Sequence, residues 1–129
     1  MVLRLINATE AKVGGSIIIE NAPSIVKSID ISKSGKHGAS KCRIEAIGII
    51  DNKKRIIAVP GHERFGVPLI EKRRGQVLSK VGENFSLMDT ENYETLEMPA
   101  SEEIKNEINE GDGVEYWIVE GEKIIKRKG

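Results

Sequence analysis

The sequence predicts a mainly all-β chain in two small units: a strongly twisted antiparallel sheet or barrel, then a five-stranded Greek-key OB barrel with one short helix. Three observations point to this. Apolar residues fall in short runs of four to eight, often alternating with polar ones, which is strand rather than helix spacing. Gly, Pro, Asn and Asp punctuate those runs throughout. The one stretch with helical spacing lies between the third and fourth strand-like runs of the second half, where an OB barrel carries its helix.

The elements follow in order. Ser16 to Glu20 is an Ile-rich strand closed by a turn at Asn21-Ala22-Pro23. Ile25 to Ile31 places Ile25, Ile29 and Ile31 on one face and Ser28 and Asp30 on the other. In the next strand Cys42, Ile44 and Ala46 alternate with Arg43 and Glu45, and the phase breaks at Ile47, where a bulge or burial on both faces is expected. Asp51 to Lys54 turns the chain into Arg55 to Val59. Pro60-Gly61 through Gly66-Val67-Pro68 reads as a linker, so the domains are expected at 1–67 and 68–129. The second half opens with a long strand, Leu69 to Val81, with a bend expected at Gly75. Phe85 to Met88 and Thr95 to Met98 follow. A helix is then expected after Ser101 as N-cap, with Glu102 and Glu103 in its first turn, Ile104 and Ile108 on its apolar face and Gly111 closing it. Val114 to Val119 and Lys123 to Arg127 complete the set.

Composition narrows the chemistry. One cysteine, Cys42, cannot form an internal disulfide, which points to a reducing, cytoplasmic setting. No run approaches membrane-spanning length. His37, His62 and Cys42 are too few soft ligands for a structural zinc site, so no metal is expected. No G-x-S-x-G elbow occurs, no catalytic residue stands out, and no dissociable cofactor is indicated. The formal net charge is zero, but its distribution is uneven. Residues 1–67 hold 11 Lys and Arg against 6 Asp and Glu, a net +5, and residues 68–129 hold 9 against 14, a net −5. Phosphate affinity is therefore expected mainly in the first half.

One segment has no capacity to build a core: SKSGKHGASK, from Ser32 to Lys41. It reads as a long hairpin tip on which Gly35 and Gly38 leave Lys36 exposed and mobile. A P-loop is ruled out, because Asp30 occupies the first glycine position, His37 replaces the Ser or Thr, and no helix follows. Solvated loop lysines are the plain alternative for Lys33, Lys36 and Lys41, and a small buried residue for Cys42. In the second half, Glu71-Lys72-Arg73-Arg74 reads equally as a solvated bulge or as a patch facing RNA.

At SGKHG (Ser34 to Gly38) the sequence resembles the translation initiation factor 5A family of archaea and eukaryotes, hypusine-containing relatives of bacterial elongation factor P. AKVGGSIII (Ala11 to Ile19), VPLIEKRRGQVLSKVG (Val67 to Gly82) and MDTENYETLEMP (Met88 to Pro99) extend the similarity over about residues 10 to 127, in an archaeal-type chain. The resemblance implies an N-terminal SH3-like barrel carrying the modified loop and a C-terminal OB-fold barrel. It implies that Lys36 receives an aminobutyl group from spermidine through deoxyhypusine synthase, becoming deoxyhypusine or hypusine. It further implies a monomeric, non-enzymatic factor that binds the ribosome beside peptidyl-tRNA and promotes peptide-bond formation at stalled sites such as proline runs. Lys33, Ser34, Gly35, His37, Gly38, Lys41 and Arg43 would form the modification loop and its RNA contacts, with Lys72, Arg73 and Arg74 as candidate second-domain contacts. Two alternatives stay open from the residues: an unmodified ribosome- or RNA-binding module, and an RNA-cleaving enzyme using Lys36 and His37 as acid and base.

Overall fold

The structure, a computed structural model, describes the backbone of residues 4–34 and 39–129, and the side chains of residues 4–32 and 40–129. The chain divides into two compact units, Met1–Leu69 and Ile70–Gly129. About two thirds of the described residues are strand, and the helical content is a single 3-10 turn at Ala8–Glu10.

In the first unit the strands are β1 (Arg4–Asn7), β2 (Ser16–Ile19), β3 (Ala22–Ser34), β4 (Ala39–Gly48), β5 (Lys54–Pro60) and β6 (Arg64–Val67). A four-stranded antiparallel sheet runs β2-β3-β4-β5, and β1 pairs with β6 in a separate ribbon. Neither β1 nor β6 is apparent in the sequence. Each has four residues, Gly66 interrupts the second, and each finds its partner some sixty residues away (Arg4 opposite Val67). The presumed linker is thus half strand. The β2–β3 turn is Glu20-Asn21, both at positive φ (51° and 67°), the two-residue I′ geometry that matches strand twist. It sits one residue earlier than expected, and Ala22 and Pro23 belong to β3.

A bulge does exist near Ile47, but on the neighbouring strand. The β3–β4 register shifts between Val26 and Ser28, so Lys27 is the extra residue. This corrects the expected facing of β3. Before the bulge Val26 points into the core and Ile25 away from it; after the bulge Ile29 takes the inward phase opposite Ile44. On β4 alternation is unbroken through Cys42, Ile44 and Ala46, all buried. With Ala8, Ala11, Ile17, Ile19 and Val26 they form the core of this unit.

The second unit contains β7 (Ile70–Val81), β8 (Asn84–Asp89), β9 (Thr95–Met98), β10 (Gly113–Val119) and β11 (Glu122–Lys128) in the order β11-β10-β7-β8-β9. A parallel bridge from Ala100 to Ile125, next to β9, brings the two outer strands together and closes the barrel. First strand central, second and third on one side, fourth and fifth on the other, closure between third and fifth: this is OB topology. Val77, Phe85, Leu87, Met98, Val114, Tyr116 and Ile125 fill it.

The expected helix does not form. Residues 102–107 are consecutive turns, with Lys105 N–H to Ser101 C=O (3.0 Å) the α-type bond and two shorter-range bonds, from Ile104 and Glu107, beside it. Isolated helices this short are marginal, and Asn106, Asn109 and two isoleucines lower the propensity further. Tertiary bonds take over at both ends: Ser101 N–H donates to Ile125 C=O (2.9 Å) and Gly111 N–H to Val77 C=O (2.8 Å). Ile104 and Ile108 still reach the core.

Gly75 is not a bend either. The register shift in β7 comes later, at Leu78. A Cβ on Gly75 would lie 2.5 Å from Leu87 Cδ1 and 3.1 Å from the Met88 carbonyl oxygen, so the strand needs glycine for close packing. Gly75→Ala is expected to destabilise the chain by about 1–3 kcal/mol through overpacking. Urea unfolding checks this, and an unchanged midpoint would show that Leu87 can move aside.

Candidate functional site

The β3–β4 ribbon sets the frame for the lysine loop. Its pairs run from Ser24–Gly48 outward through Asp30–Arg43, Ile31–Cys42, Ser32–Lys41 and Lys33–Ser40 to Ser34–Ala39. Residues 35–38 therefore join the last pair. Gly35, Lys36, His37 and Gly38 lie outside the described residues, as do the side chains of Lys33 and Ser34, and with them the expected exposure of Lys36. The register nevertheless separates the flanking positions. Lys41 and Arg43 fall on the line opposite that of Ile29 and Ile31, because strand residues alternate in facing.

Below the loop the ribbon is held in place. Cys42 is 1% exposed, so it acts as core and is not a reactive thiol. Lys41 pairs with Pro60 of β5 on one side and Ser32 on the other, and is exposed. Gly61 N–H donates to Ser40 C=O (2.9 Å), and a Cβ on Gly61 would strike Ser40 Oγ and Thr9 Cγ2. The turn after β5 thus packs directly on the start of β4, and a side chain at 61 would require Ser40 and Thr9 to shift.

Charge on the outward face is graded. Arg43 is half exposed, its Nη1 3.9 Å from Asp30 Oδ2, a contact loose enough to be exchanged for a phosphate. One step further from the loop, Glu45 accepts from Lys54 and from Ser28 Oγ (3.1 Å), and these bonds hold its carboxyl below the usual range. Lys54 is therefore tied down, while Lys41 and Arg43 stay available nearest the loop.

In the second unit, alternation splits the Lys72-Arg73-Arg74 triplet. Lys72 and Arg74 are exposed on the outward face of β7. Arg73 turns inward: its Nε and Nη2 donate to Asp89 Oδ2 and Oδ1 (2.7 and 3.3 Å), and its Nη1 donates to Glu71 (2.8 Å). Asp89 is fully buried and also accepts from Tyr116 Oη (2.5 Å) and from the backbone N–H groups of Glu91 (2.8 Å) and Asn92 (3.2 Å). The Arg73 bond holds the Asp89 carboxyl far below the carboxylate range, outweighing burial, and Asp89 in turn raises Arg73. Burial, with the bond to Asp89, pushes the Tyr116 hydroxyl up to about 12. Of the three candidate RNA contacts, Arg73 is thus engaged by carboxylates of its own unit, whereas Lys72 and Arg74 are exposed. The parity of β7 carried the signal, since Arg73 is four residues before the buried Val77, on the same face.

Among the described residues no group of three or more His, Cys, Asp or Glu is arranged to hold a metal, and no helix is long and apolar enough to cross a membrane.

Comparison with known proteins agrees with this architecture. Residues 4–62 match the family model described as translation initiation factor 5A-like, N-terminal. The translation initiation factor 5A of Methanobrevibacter smithii is 44% identical over 98% of both chains, and that of Thermofilum pendens 46% identical over 93% of this chain and 92% of its own. Among solved structures, the eukaryotic translation initiation factor 5A from Methanococcus jannaschii superposes with a TM-score of 0.86 at 36% identity, covering 98% of this chain and 94% of that one. Near-complete coverage at this identity, in sequence and in structure, has one meaning: the chain belongs to the translation initiation factor 5A family and is a translation factor.

Proposed function

We propose that Lys36 is the modified residue of this factor, that deoxyhypusine synthase transfers the aminobutyl group of spermidine to its Nζ, and that the extended arm acts on the ribosome beside peptidyl-tRNA. The observation that carries this reading is SGKHG at the junction of β3 and β4, with glycines on both sides of the Lys36-His37 pair. Glycine flanks offer little steric hindrance to a modifying enzyme or to RNA. The added arm lengthens the lysine and brings a second amine, giving more donors for phosphate and ribose oxygens.

The surrounding residues supply the field for that arm. Lys41 and Arg43 lie nearest the loop on one face of the ribbon, and residues 1–67 carry the +5 excess. This charge steers the loop towards the tRNA backbone. Proline is a poor acceptor for the next peptide bond, so holding the tRNA end in reactive geometry lowers the barrier by positioning. The factor assists in this way without contributing a general acid or base, and works in the cytoplasm as a monomer. Arg43 and Lys41 orient the arm; Lys72 and Arg74 are secondary contacts.

Intact-mass measurement of the native protein, followed by peptide mapping, tests the reading. An aminobutyl or hydroxylated aminobutyl adduct on Lys36 is expected. An unmodified Lys36 in native material would instead leave an RNA-binding module or an RNA-cleaving enzyme.

A further inference from the structure

The four-stranded sheet of the first unit ends on β5, which pairs with β4 alone. Proline fixes the phase of that pairing. Pro60 stands opposite Lys41 and has no N–H to give, so theirs is a non-hydrogen-bonded pair. Alternation then makes Arg55, Ile57 and Val59 the residues bonded to β4. The bonds just beyond the strand keep the same phase: Gly61 N–H donates to Ser40 C=O and Gly48 N–H to Lys53 C=O, both at 2.9 Å. The N–H and C=O groups of Ile56 and Ala58 therefore point to the open edge, where no strand among the described residues pairs with them. Their side chains lie on the outward face, opposite Glu45 and Arg43. Ile56 is 50% exposed, and Ala58 and Pro60 are exposed as well. Natural edge strands are commonly blunted by charge, yet past Lys54 the outward face of this one carries none.

We propose that this edge accepts an extended segment of a protein partner as a fifth strand, apolar opposite Ile56 and Ala58 and acidic towards Lys41 and Arg43. The backbone groups of Ile56 and Ala58 supply the main-chain bonds, and the apolar side chains beside them select the partner's residues. Charge decides the rest of its chemistry. Lys41 is exposed directly opposite Pro60, and Arg43, directly opposite Ala58, has only the loose Asp30 contact. Glu45, the carboxylate on the same face, is already engaged by Lys54 and Ser28. Residues 1–67 carry a net +5, which favours an acidic segment over a basic one. Neither Lys36 nor RNA enters this inference.

The test titrates the acetylated, amidated peptide ETVTVT into the full, isotopically labelled chain and follows backbone amide shifts and hydrogen exchange. Laid antiparallel, the peptide puts its glutamate opposite Pro60 and its valines opposite Ala58 and Ile56. In the free chain the amides of Ile56 and Ala58 should exchange fast and those of Ile57 and Val59 slowly; bound peptide should slow the first pair. Methylating both valine nitrogens should weaken binding at least about tenfold, since two main-chain bonds are lost. Ala58→Pro removes one outward N–H, leaves the β4 ladder whole and should weaken binding about fivefold. The peptide KTVTVT should bind about fivefold more weakly than ETVTVT at low salt. Absence of shifts along β5, slow exchange at Ile56 and Ala58 in the free chain, or equal binding of the methylated peptide would overturn strand addition. Equal binding of KTVTVT would overturn the acidic partner. Dimerisation in sedimentation that Ala58→Pro abolishes would make a second copy of this chain the occupant and overturn the proposal. Should Ala58→Pro unfold the chain, the phase assigned to β5 is wrong, while the methylated peptide still decides the docking.

Discussion

Replacing Lys36 with arginine is expected to abolish the activity of this factor in cells while leaving its fold intact. Arginine keeps the positive charge, but its guanidinium is delocalised and planar and does not offer the free amine that would accept an aminobutyl group. Stability should change by no more than about 0.5 kcal/mol, as for surface substitutions away from packing and caps. The measurements are growth of a strain whose only copy carries K36R, together with thermal melting of the purified variant. Growth equal to wild type would remove modification from the account, since charge alone would then suffice. A large drop in melting temperature would mean instead that Lys36 holds the β3–β4 ribbon together.

The second large effect concerns stability. Asp89→Ala leaves the Arg73 guanidinium without its bidentate partner, removes the acceptor of Tyr116 and strips two backbone N–H groups of their bonds. Removing one member of a buried, hydrogen-bonded pair costs about 3–5 kcal/mol, enough to unfold a marginal unit of 60 residues. Urea unfolding followed by the fluorescence of Trp117, which lies in this unit, reads the loss. A cost below about 1 kcal/mol would show that water replaces the carboxylate and that the network is peripheral.

The same network gives the pH dependence its direction. The folded carboxyl of Asp89 is held well below its unfolded value of about 3.9, so its contribution is complete above that pH and lost as pH falls through the folded value. Tyr116 behaves in the opposite sense. Its folded hydroxyl is raised to about 12, so its contribution is complete below about 10 and lost as pH rises towards 12. Stability of the second unit should therefore fall at both ends; in pH-dependent urea unfolding, Tyr116→Phe should flatten the alkaline limb and also weaken the acid one, because Asp89 loses one of its donors.

Much of this protein is determined locally. The strands β2, β4, β5 and β7 to β11 are visible in the sequence because alternation and turn residues act over a few positions and need no partner to be recognised. The SGKHG segment stands out for the same reason: a run of small and cationic residues has no side chains with which to build a core. Other features depend on residues far apart in the chain. Strands β1 and β6 exist because Arg4 to Asn7 meets Arg64 to Val67, and neither four-residue piece has a pattern of its own. The helix expected after Ser101 has adequate caps and spacing, yet the segment is short and carries Asn106, Asn109 and two isoleucines, so it stays a run of turns anchored at its ends by Ile125 and Val77. The bulge near Ile47 belongs to Lys27 because register is a property of two strands, and a break in pattern on one can be absorbed by the other. Arg73 looks like its neighbours in a basic triplet; only folding brings it against the buried Asp89, sixteen residues away, and ties its guanidinium to that carboxylate.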